Sequence, residues 1–456
     1  MRFLLFVTSI AAFGGFLFGY DTAVISGAIG FLTLDFGLGE VGQGWAGAGA
    51  ILGCIPGAMF AGALSDRLGR RKILILSAVL YAVSGVVSAL PRDFLWFIAG
   101  RLLGGLAIGA SSMICPVYIS EIAPEKHRGR LGALFQLGIV SGILLVFFVN
   151  LLIQRLGDES WNTRVGWRWM IGSESIPAAV FLGLLALVPE SPRWLALHGR
   201  IEDARQILAK VSGAEHAEIE VARIVEGGAV GGEATLAEVF SGAYRRPLVI
   251  AVGLAIFSQF SGINAVMYYA PEIFKVAGVG TDGAFAATVW VGVVNFVFTL
   301  VAIAFVDRVG RRPLLLVGSA LQTVALGVSG YLLAVGDRGP NLLVALLVFV
   351  AAFAIAMGPI PWIVISEIFP TRIRGLAASV GVFSIWAACF VVAQTFPILR
   401  RGLGESTTFA LYAACSLAGL AFVAARVPET KGRTLEEIEA SWRVLETASD
   451  LGGKDR

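Results

Sequence analysis

The sequence predicts an all-α integral membrane protein with twelve transmembrane helices in two six-helix halves. One reason is composition: 57% of the 456 residues are hydrophobic and only 15% are charged, and mean hydropathy is +0.81. A soluble domain carries about 25% charged residues. The other reason is a duplication, because three charged motifs occur twice in the same order. The composition requires many membrane spans, and the duplication divides them into two equivalent sets.

Twelve apolar stretches are close to the roughly 20 residues that a spanning helix needs. They are 4–31, 42–63, 73–90, 94–116, 131–153, 168–188, 247–274, 284–306, 313–335, 341–365, 376–398 and 406–426. The start, MRFLLFVTSIAAFGG, looks like a signal peptide. We instead expect it to begin the first span, since eleven spans follow and Asp21 lies just beyond the expected cleavage region.

The duplication is carried by three pairs of motifs. DRLGRRK (66–72) recurs as DRVGRRP (307–313), YISEIAPEKHRGR (118–130) as VISEIFPTRIRG (364–375), and VPESPRW (188–194) as VPETKGR (427–433). Parallel repeats with a site at the membrane midplane are a known transporter architecture. The expected domains are an N-terminal bundle at 1–188, a cytoplasmic linker with short amphipathic helices at 189–246, a C-terminal bundle at 247–426 and a cytoplasmic tail at 427–456.

The repeated turns are rich in arginine, which favours cytoplasmic termini by the positive-inside rule. They also place acids beside arginines, forming a predicted cytoplasmic charge network of Asp66, Arg70, Glu121, Arg128, Glu190, Asp307, Arg311, Glu367, Arg374 and Glu429. Exposed ion pairs contribute only about 0–1 kcal/mol each to the free energy of unfolding. Stability is therefore a weak reason for the same ion pairs to occur in both halves. A network that biases one of two conformations is one explanation, and fixing the topology accounts for some of the arginines.

One acid stands inside the first span, in GFLFGYDTAVISG (15–27). A carboxylate in hydrocarbon costs at least about 2.5 kcal/mol, so such residues usually face a cavity or a partner charge. We therefore expect a functional role for Asp21, with a purely structural ion pair as the alternative.

Other chemistry finds little support in the sequence. Cysteines 54, 115, 389 and 415 show no metal-ligand spacing, so we expect no metal and no cofactor. The three histidines, at 127, 198 and 216, lie outside the predicted spans, which argues against a histidine proton relay. A net charge of +3 gives no reason to expect nucleic acid. An enzyme is disfavoured because the spans offer no nucleophile–base pair.

Six motifs together resemble the sugar porter family of the major facilitator superfamily. They are DRLGRRK, GRLLGG (100–105), PESPRW, QFSGINAVMYYAPEIF (259–274), GPIPWIVISEIFP (358–370) and PETKGR. The resemblance runs from Gly15 to about Glu439. It implies the major facilitator fold and the transport of a sugar by alternating access.

The resemblance also implies site residues from both halves. The expected sugar-binding residues are Phe18, Gln136, Gln259, Asn264, Asn295, Trp362 and Trp386, and the expected gate residues are Tyr268, Tyr269, Gly358, Pro359 and Pro361. Amides both donate and accept hydrogen bonds, which suits a neutral polyhydroxylated ligand. The alternative for each amide is a helix–helix hydrogen bond worth about 0.6 kcal/mol. Two positions depart from the family pattern, since Ser258 and Ile385 stand where many members carry amides, and the identity of the sugar stays open.

Asp21 falls where the family's proton-coupled members carry an acid, and Arg101 is its expected partner. The sequence therefore predicts a sugar–proton symporter, with a proton-independent sugar or polyol uniporter as the alternative. Glu174 is a second intramembrane acid, for which we expect a structural role. The expected partners are a sugar, a proton and membrane lipid, and the protein is expected to be a monomer in a bacterial inner membrane. A nutrient sensor and a drug–proton antiporter share the architecture, but the short tail and the motifs of spans seven and ten disfavour them.

Overall fold

The computed structural model describes residues 2–228, 235–240, 244–276, 278, 280–369 and 373–431, and no strand occurs among them. In chain order the helices are α1 Arg2–Asp35, α2 Glu40–Leu68, α3 Arg70–Ala89, α4 Phe94–Ile122, α5 Glu125–Gln154, α6 Glu159–Trp161, a π-helical turn Asn162–Gly166, α7 Trp167–Gly172, α8 Ser175–Leu185, α9 Pro192–Leu197, α10 Ile201–Ser212, α11 Ala214–Gly228, α12 Leu236–Val239, α13 Arg245–Phe260, α14 Ile263–Val276, α15 Thr281–Val309, α16 Arg311–Ala334, α17 Pro340–Ile355, α18 Ile360–Glu367, α19 Arg374–Leu403 and α20 Glu405–Arg426.

The predicted helical membrane fold is confirmed, with one difference at the sixth span. Within the described ranges, eleven helical stretches are long and apolar enough to cross a membrane. The predicted span 168–188 instead forms the shorter helices α7 and α8, which are separated at Ser173 and Glu174. The break places a charged residue at a helix junction, and Glu174 is fully buried there.

Two other spans are broken where the sequence carries glycine and proline. Between α13 and α14, Gly262 adopts a φ of +81°, a backbone conformation that side chains with a Cβ rarely take. Between α17 and α18, residues 356–359 form a turn that ends at Pro359. Non-helical backbone at membrane depth is tolerated where protein or a cavity surrounds it.

The chain divides into two compact units. Unit 1 comprises Met1–Gly231, Ala265–Phe296 and Ala393–Arg401, and unit 2 comprises Gly232–Asn264, Val297–Val392 and Gly402–Arg456. Helices α14, α15 and α19 therefore contribute residues to both units. The end of α14, the beginning of α15 and the end of α19 pack with the first half of the chain in unit 1.

Small residues hold the helices of unit 1 close together. Gly53 of α2 lies against the backbone of Leu102 and Gly105 on α4, and Gly57 lies against the backbone of Leu106. Transmembrane helices gain no hydrophobic energy from each other in lipid, so they associate through such close backbone contact. The glycines are therefore packing residues here.

Unit 2 has an aliphatic core in which Leu254, Leu315, Ile360 and Val364 are fully or almost fully buried. The segment between spans six and seven has a small core of its own, where Leu195, Ala204, Leu208 and Val221 bring α9, α10 and α11 together. The amphipathic stretch at 201–211 lies in α10, which directs its apolar face to this core.

Candidate functional site

Asp21 lies at the middle of α1 and has no exposed surface. Arg101 of α4, itself almost fully buried, donates from Nη1 to Asp21 Oδ1 and from Nη2 to the Asp21 carbonyl oxygen at 3.1 Å. The predicted pairing of these two residues is therefore present in the structure. A buried arginine that binds both a carboxylate and a backbone carbonyl holds the acid in a defined orientation.

A third charged group belongs to the same cluster. One carboxylate oxygen of Glu174 lies 4.0 Å from Arg101 Nη1, the same nitrogen that binds Asp21. Glu174 comes from the junction of α7 and α8, so three separate helical segments of unit 1 supply the cluster. We refer to Asp21, Arg101 and Glu174 as the buried ion cluster.

The buried ion cluster contains two acids and one cation. Burying an uncompensated charge costs several kcal/mol, and a buried group commonly avoids that cost by changing its protonation state. With both acids ionised the cluster carries one negative charge, and one bound proton makes it neutral. The arrangement is thus suited to hold a single exchangeable proton.

Hydroxyl groups surround this cluster. The Tyr81 hydroxyl lies 2.8 Å from Ser111 Oγ, and the Tyr20 hydroxyl lies 2.8 Å from Ser173 Oγ, beside Glu174 in the chain. These bonds satisfy the tyrosine hydroxyls inside the helix bundle, as buried polar groups require.

A chain of hydrogen bonds joins three polar residues of unit 2. The buried Ser258 hydroxyl donates to the Ala255 carbonyl at 2.8 Å, so its oxygen is available to accept from Gln259 Nε2 at 3.0 Å. Gln259 Oε1 in turn accepts from Asn264 Nδ2 at 2.5 Å. Ser258, the departure from the family pattern, therefore orients the side chain of Gln259.

The other predicted sugar-binding residues lie in both units. Phe18, Gln136 and Asn295 belong to unit 1, and Trp362 and Trp386 belong to unit 2. Asn295 and Trp386 are buried, whereas Phe18, Gln136 and Trp362 are partly exposed. Their contact with a sugar stays a prediction.

Of the predicted gate residues, Tyr269 has the most informative contacts. Its hydroxyl donates to the carbonyl oxygens of Gln43 at 3.3 Å and Ala393 at 3.1 Å, and its ring lies against Gly47, where a Cβ would collide with it. The backbone of Tyr269 is non-helical, with φ −120° and ψ 15°, so α14 is kinked there. Tyr268 is also buried, and Gly358, Pro359 and Pro361 lie at the junction of α17 and α18.

The charged turns form the same network twice, once in each unit. In unit 1, Arg70 binds Glu121 through two contacts of 2.9 Å and Asp66 at 2.8 Å. Glu190 accepts from the backbone N–H groups of Arg70 at 2.8 Å and Arg71 at 3.0 Å, and thereby caps the N-terminus of α3.

In unit 2, Arg311 binds Glu367 at 3.0 Å and Asp307 at 3.1 Å. Glu429 accepts from the backbone N–H groups of Arg311 and Arg312, each at 3.1 Å. Partial burial raises the pKa of the Glu429 carboxyl, but backbone N–H donors outweigh it and hold the pKa below its ordinary value. Gly310 permits this approach, since it has a φ of +107° and a Cβ there would lie 2.6 Å from Glu429 Oε2.

Two members of this network were missed in the sequence. Ser191 donates to Glu121, and Thr430 donates to Glu367 at 2.7 Å. The signal was present, because each follows the glutamate of a repeated PE motif. The side chains of Arg128 and Arg374, which were also predicted to belong to the network, lie outside the described residues.

A duplicated bundle of membrane-spanning helices with matching charged turns and a buried ion cluster defines a transporter of the major facilitator type. The chain matches the family model described as "Sugar (and other) transporter" over residues 7–442, and it belongs to that family. The family is one of transporters, which confirms the prediction that the chain is not an enzyme.

Characterised relatives extend along almost the whole chain. The arabinose–proton symporter of Bacillus subtilis is 41% identical over 97% of this chain and 96% of its own length. The D-xylose–proton symporter of Escherichia coli is also 41% identical, over 96% of this chain and 95% of its own length. A structure of the E. coli xylose transporter in its inward-open conformation superposes with a TM-score of 0.87 at 39% identity, covering 96% of this chain and 100% of that one.

Proposed function

We propose that this chain is a sugar–proton symporter in which Asp21 carries the proton. The observation that supports it best is the buried ion cluster, in which Arg101 binds Asp21 and lies 4.0 Å from Glu174. One ionised acid paired with one arginine is neutral without a proton. Two ionised acids that share one guanidinium carry a net negative charge, which one bound proton neutralises. Similarity to the arabinose and D-xylose symporters supports the same proposal.

Coupling requires that the proton bind differently in the two conformations of the transporter, because a ligand shifts an equilibrium only by its differential affinity. The cluster is built from segments of α1, α4 and the α7–α8 junction. A small change in the packing of these segments alters how closely Arg101 faces each acid. The proposed sequence is therefore proton binding at Asp21, sugar binding, the conformational change, and release of both.

The sugar is bound in this proposal by the amides and tryptophans named above. Gln259 and Asn264 are already oriented by the hydrogen-bond chain from Ser258, and the remaining lone pairs and N–H groups of their amides match sugar hydroxyls. We propose a pentose as the substrate class, since the two symporter relatives are named for arabinose and xylose. A pentose has one hydroxyl group fewer than a hexose, in keeping with serine and isoleucine at positions 258 and 385.

The proposed orientation places the arginine-rich turns, and hence both termini, in the cytoplasm. Each turn is held by an acid that caps a helix N-terminus, Glu190 for α3 and Glu429 for α16. In this proposal the two networks stabilise one of the transporter's conformations and break in the other. The proposed working unit is one chain in a lipid bilayer, with the domain division expected from the sequence.

The test is uptake of labelled arabinose and xylose into proteoliposomes, with and without an inward proton gradient. The wild type is expected to accumulate a pentose only with the gradient. Asp21→Asn is expected to abolish accumulation while still exchanging sugar across the membrane, because the neutral amide imitates the protonated acid. Uptake that only equilibrates the sugar whether or not the gradient is present, or normal accumulation by Asp21→Asn, would refute the proposal.

The sugar site is tested separately by Gln259→Ala. We expect weaker sugar binding, measured by the concentration for half-maximal exchange, without loss of folded protein. Gln322→Ala is a matched control, since Gln322 is a buried amide of α16 in the same unit that is not assigned to the sugar. Equal effects of the two variants on exchange would mean that Gln259 has no special role.

A further inference from the structure

Two serines of α3 face two glycines of α4 next to the buried ion cluster. Ser84 and Ser88 are separated by four residues and are fully buried. A Cβ at Gly104 would lie 2.5 Å from Ser84 Oγ, and a Cβ at Gly100 would collide with Ser88 Oγ. The serines and glycines therefore pair across the helix contact, one pair per turn, with Arg101 next to Gly100 in the chain.

The hydroxyl groups of these two serines differ from those of neighbouring helical serines. Ser77, on the same face of α3, donates to the Ile73 carbonyl at 3.0 Å, and Ser112 of α4 donates to the Gly109 carbonyl at 2.8 Å. The hydroxyls of Ser84 and Ser88 have no hydrogen-bond partner among the described residues. Buried hydroxyls are usually satisfied by protein or ordered water, so a water molecule is a suitable partner for these two.

The same spot beside Gly104 also faces the proposed proton carrier. Asp21 Oδ2, the carboxylate oxygen that Arg101 does not bind, lies 2.6 Å from the position of a Gly104 Cβ and lacks a partner among the described residues. Ser84 Oγ and Asp21 Oδ2 therefore lie no more than about 5.1 Å apart. The two oxygens form no direct hydrogen bond, and one water molecule bonded to both at about 2.7 Å bridges separations below that limit.

We propose that a water molecule binds beside Gly104, between Ser84 Oγ and Asp21 Oδ2, and that Ser84 and this water relay the proton to Asp21. This relay rests on the proposed function. It explains two features together: the Ser84 hydroxyl that is not bonded to its own helix and the carboxylate oxygen left unbound by Arg101.

The transfer is balanced along the relay. Ser84 accepts a proton from a hydronium ion on the Ser88 side and gives its own hydroxyl proton to the bridging water. That water passes one of its protons to Asp21 Oδ2, so the hydronium becomes water, the serine and the bridging water are regenerated, and Asp21 becomes a neutral acid. Ser88 lies one turn further along α3, toward the exposed Leu90 that follows the helix.

The charged and titratable groups around Asp21 are compatible with this route. They are Arg101 of α4, Glu174 at the α7–α8 junction, Tyr81 of α3, and Tyr268 of α14, which faces Arg101. Tyr81 is bonded to Ser111, and Arg101 binds the opposite oxygen of Asp21. Arg101 therefore leaves Asp21 Oδ2 unbound, and Glu174, whose carboxyl lies within hydrogen-bonding reach of the Asp21 carboxyl, is the other group that competes for it.

Close helix packing through small residues is the competing explanation, because serine and glycine both allow backbones to approach. Packing explains why positions 100 and 104 are glycine. It does not explain why the hydroxyls of Ser84 and Ser88 form no hydrogen bond to the carbonyls of the preceding helical turn, as the Ser77 hydroxyl does in the same helix.

Ser84→Ala tests the relay, with Ser77→Ala as the matched control on the same helix face. Two rates are measured in proteoliposomes: uptake driven by a proton gradient, and sugar exchange at equal pH on both sides. We expect Ser84→Ala to slow gradient-driven uptake about tenfold or more and to leave exchange unchanged, since proton-transfer groups typically contribute about 10²–10⁴-fold. Ser84→Thr, which keeps the hydroxyl, is expected to restore uptake, and Gly104→Ala is expected to match Ser84→Ala.

The outcomes separate the relay from the proposed function. If the wild type is not driven by the gradient, symport and relay both fail. If the wild type and Ser77→Ala are driven and Ser84→Ala equals them, the relay alone is wrong. If Ser84→Ala slows uptake and exchange equally, Ser84 only packs the helices and the relay is likewise overturned.

Discussion

Replacing Arg101 should destabilise the protein far more than replacing Asp21, although the two residues form one ion pair. Arg101→Gln removes the donors to the Asp21 carboxylate and carbonyl, and it removes the cation 4.0 Å from Glu174. Two buried acids then lack a counter-charge. Removing one partner of a buried pair costs about 3–5 kcal/mol, and we expect Arg101→Gln to lose at least that much at neutral pH.

Asp21→Asn leaves the other contacts of Arg101 in place. The guanidinium keeps the backbone carbonyl of residue 21 as an acceptor and keeps Glu174 as a counter-charge. The expected loss is about 1–3 kcal/mol, the cost of a weakened buried hydrogen bond. The comparison therefore tests whether Glu174 belongs to the charge balance of the cluster.

The measurement is thermal unfolding of the detergent-solubilised protein, followed by the fluorescence of its ten tryptophans. Arg155→Gln is the control, because Arg155 forms an exposed ion pair with Asp282 at 2.6 Å, and exposed pairs contribute about 0–1 kcal/mol. Lowering the pH should partly restore Arg101→Gln, since protons neutralise the acids that lost their cation. Equal midpoints for Arg101→Gln and Arg155→Gln would refute the reasoning.

Three further predictions follow from single contacts. Ser258→Ala should weaken sugar binding severalfold without changing the gradient dependence of uptake, because Gln259 loses the acceptor that orients it; an unchanged affinity in exchange assays would show that Gln259 needs no such support. Tyr269→Phe should raise the labelling rate of a cysteine introduced in place of the buried Gln43, because the hydroxyl loses its two carbonyl acceptors, and an unchanged rate would mean that these bonds do not hold the gate. Glu429→Gln should remove a part of the stability of unit 2 that depends on pH. Because the pKa of Glu429 is lowered in the folded protein, its contribution is present above the ordinary carboxyl value of 4.5 and is lost as the pH falls through the folded value. Unfolding midpoints of variant and wild type that differ by the same amount at every pH would contradict this prediction.

The charged turns show which features of the structure can be predicted from the sequence. The repeated DR, SE and PE motifs predicted the acids and arginines of both networks, because each motif is a short local pattern. The pairing within them was not readable: Arg70 binds Glu121, 51 positions away, and Ser191 binds the same acid. Which side chains meet depends on how three helices pack, and no spacing within one motif contains that information.

Glu174 shows the same limit at the centre of the molecule. An intramembrane acid was visible in the sequence, and a structural role was expected for it. Its distance from Arg101 depends on the break between α7 and α8, which turns a predicted single span into two helices. The predicted pair of Asp21 and Arg101 is therefore part of a cluster of three groups, in which two acids share one cation.

By itself the sequence determined the class of protein: hydropathy set the membrane spans, the duplication set two halves, and the motifs set the family. It also singled out Asp21, because a carboxylate in an apolar span is costly wherever the span packs. Only the tertiary structure decided what Asp21 faces. Arg101, Glu174 and Ser84 are 63 to 153 positions away in the chain, and they converge on it because glycines at helix contacts let the backbones approach. Hydrophobicity is a property of each residue, whereas a charge balance belongs to the residues that packing brings together.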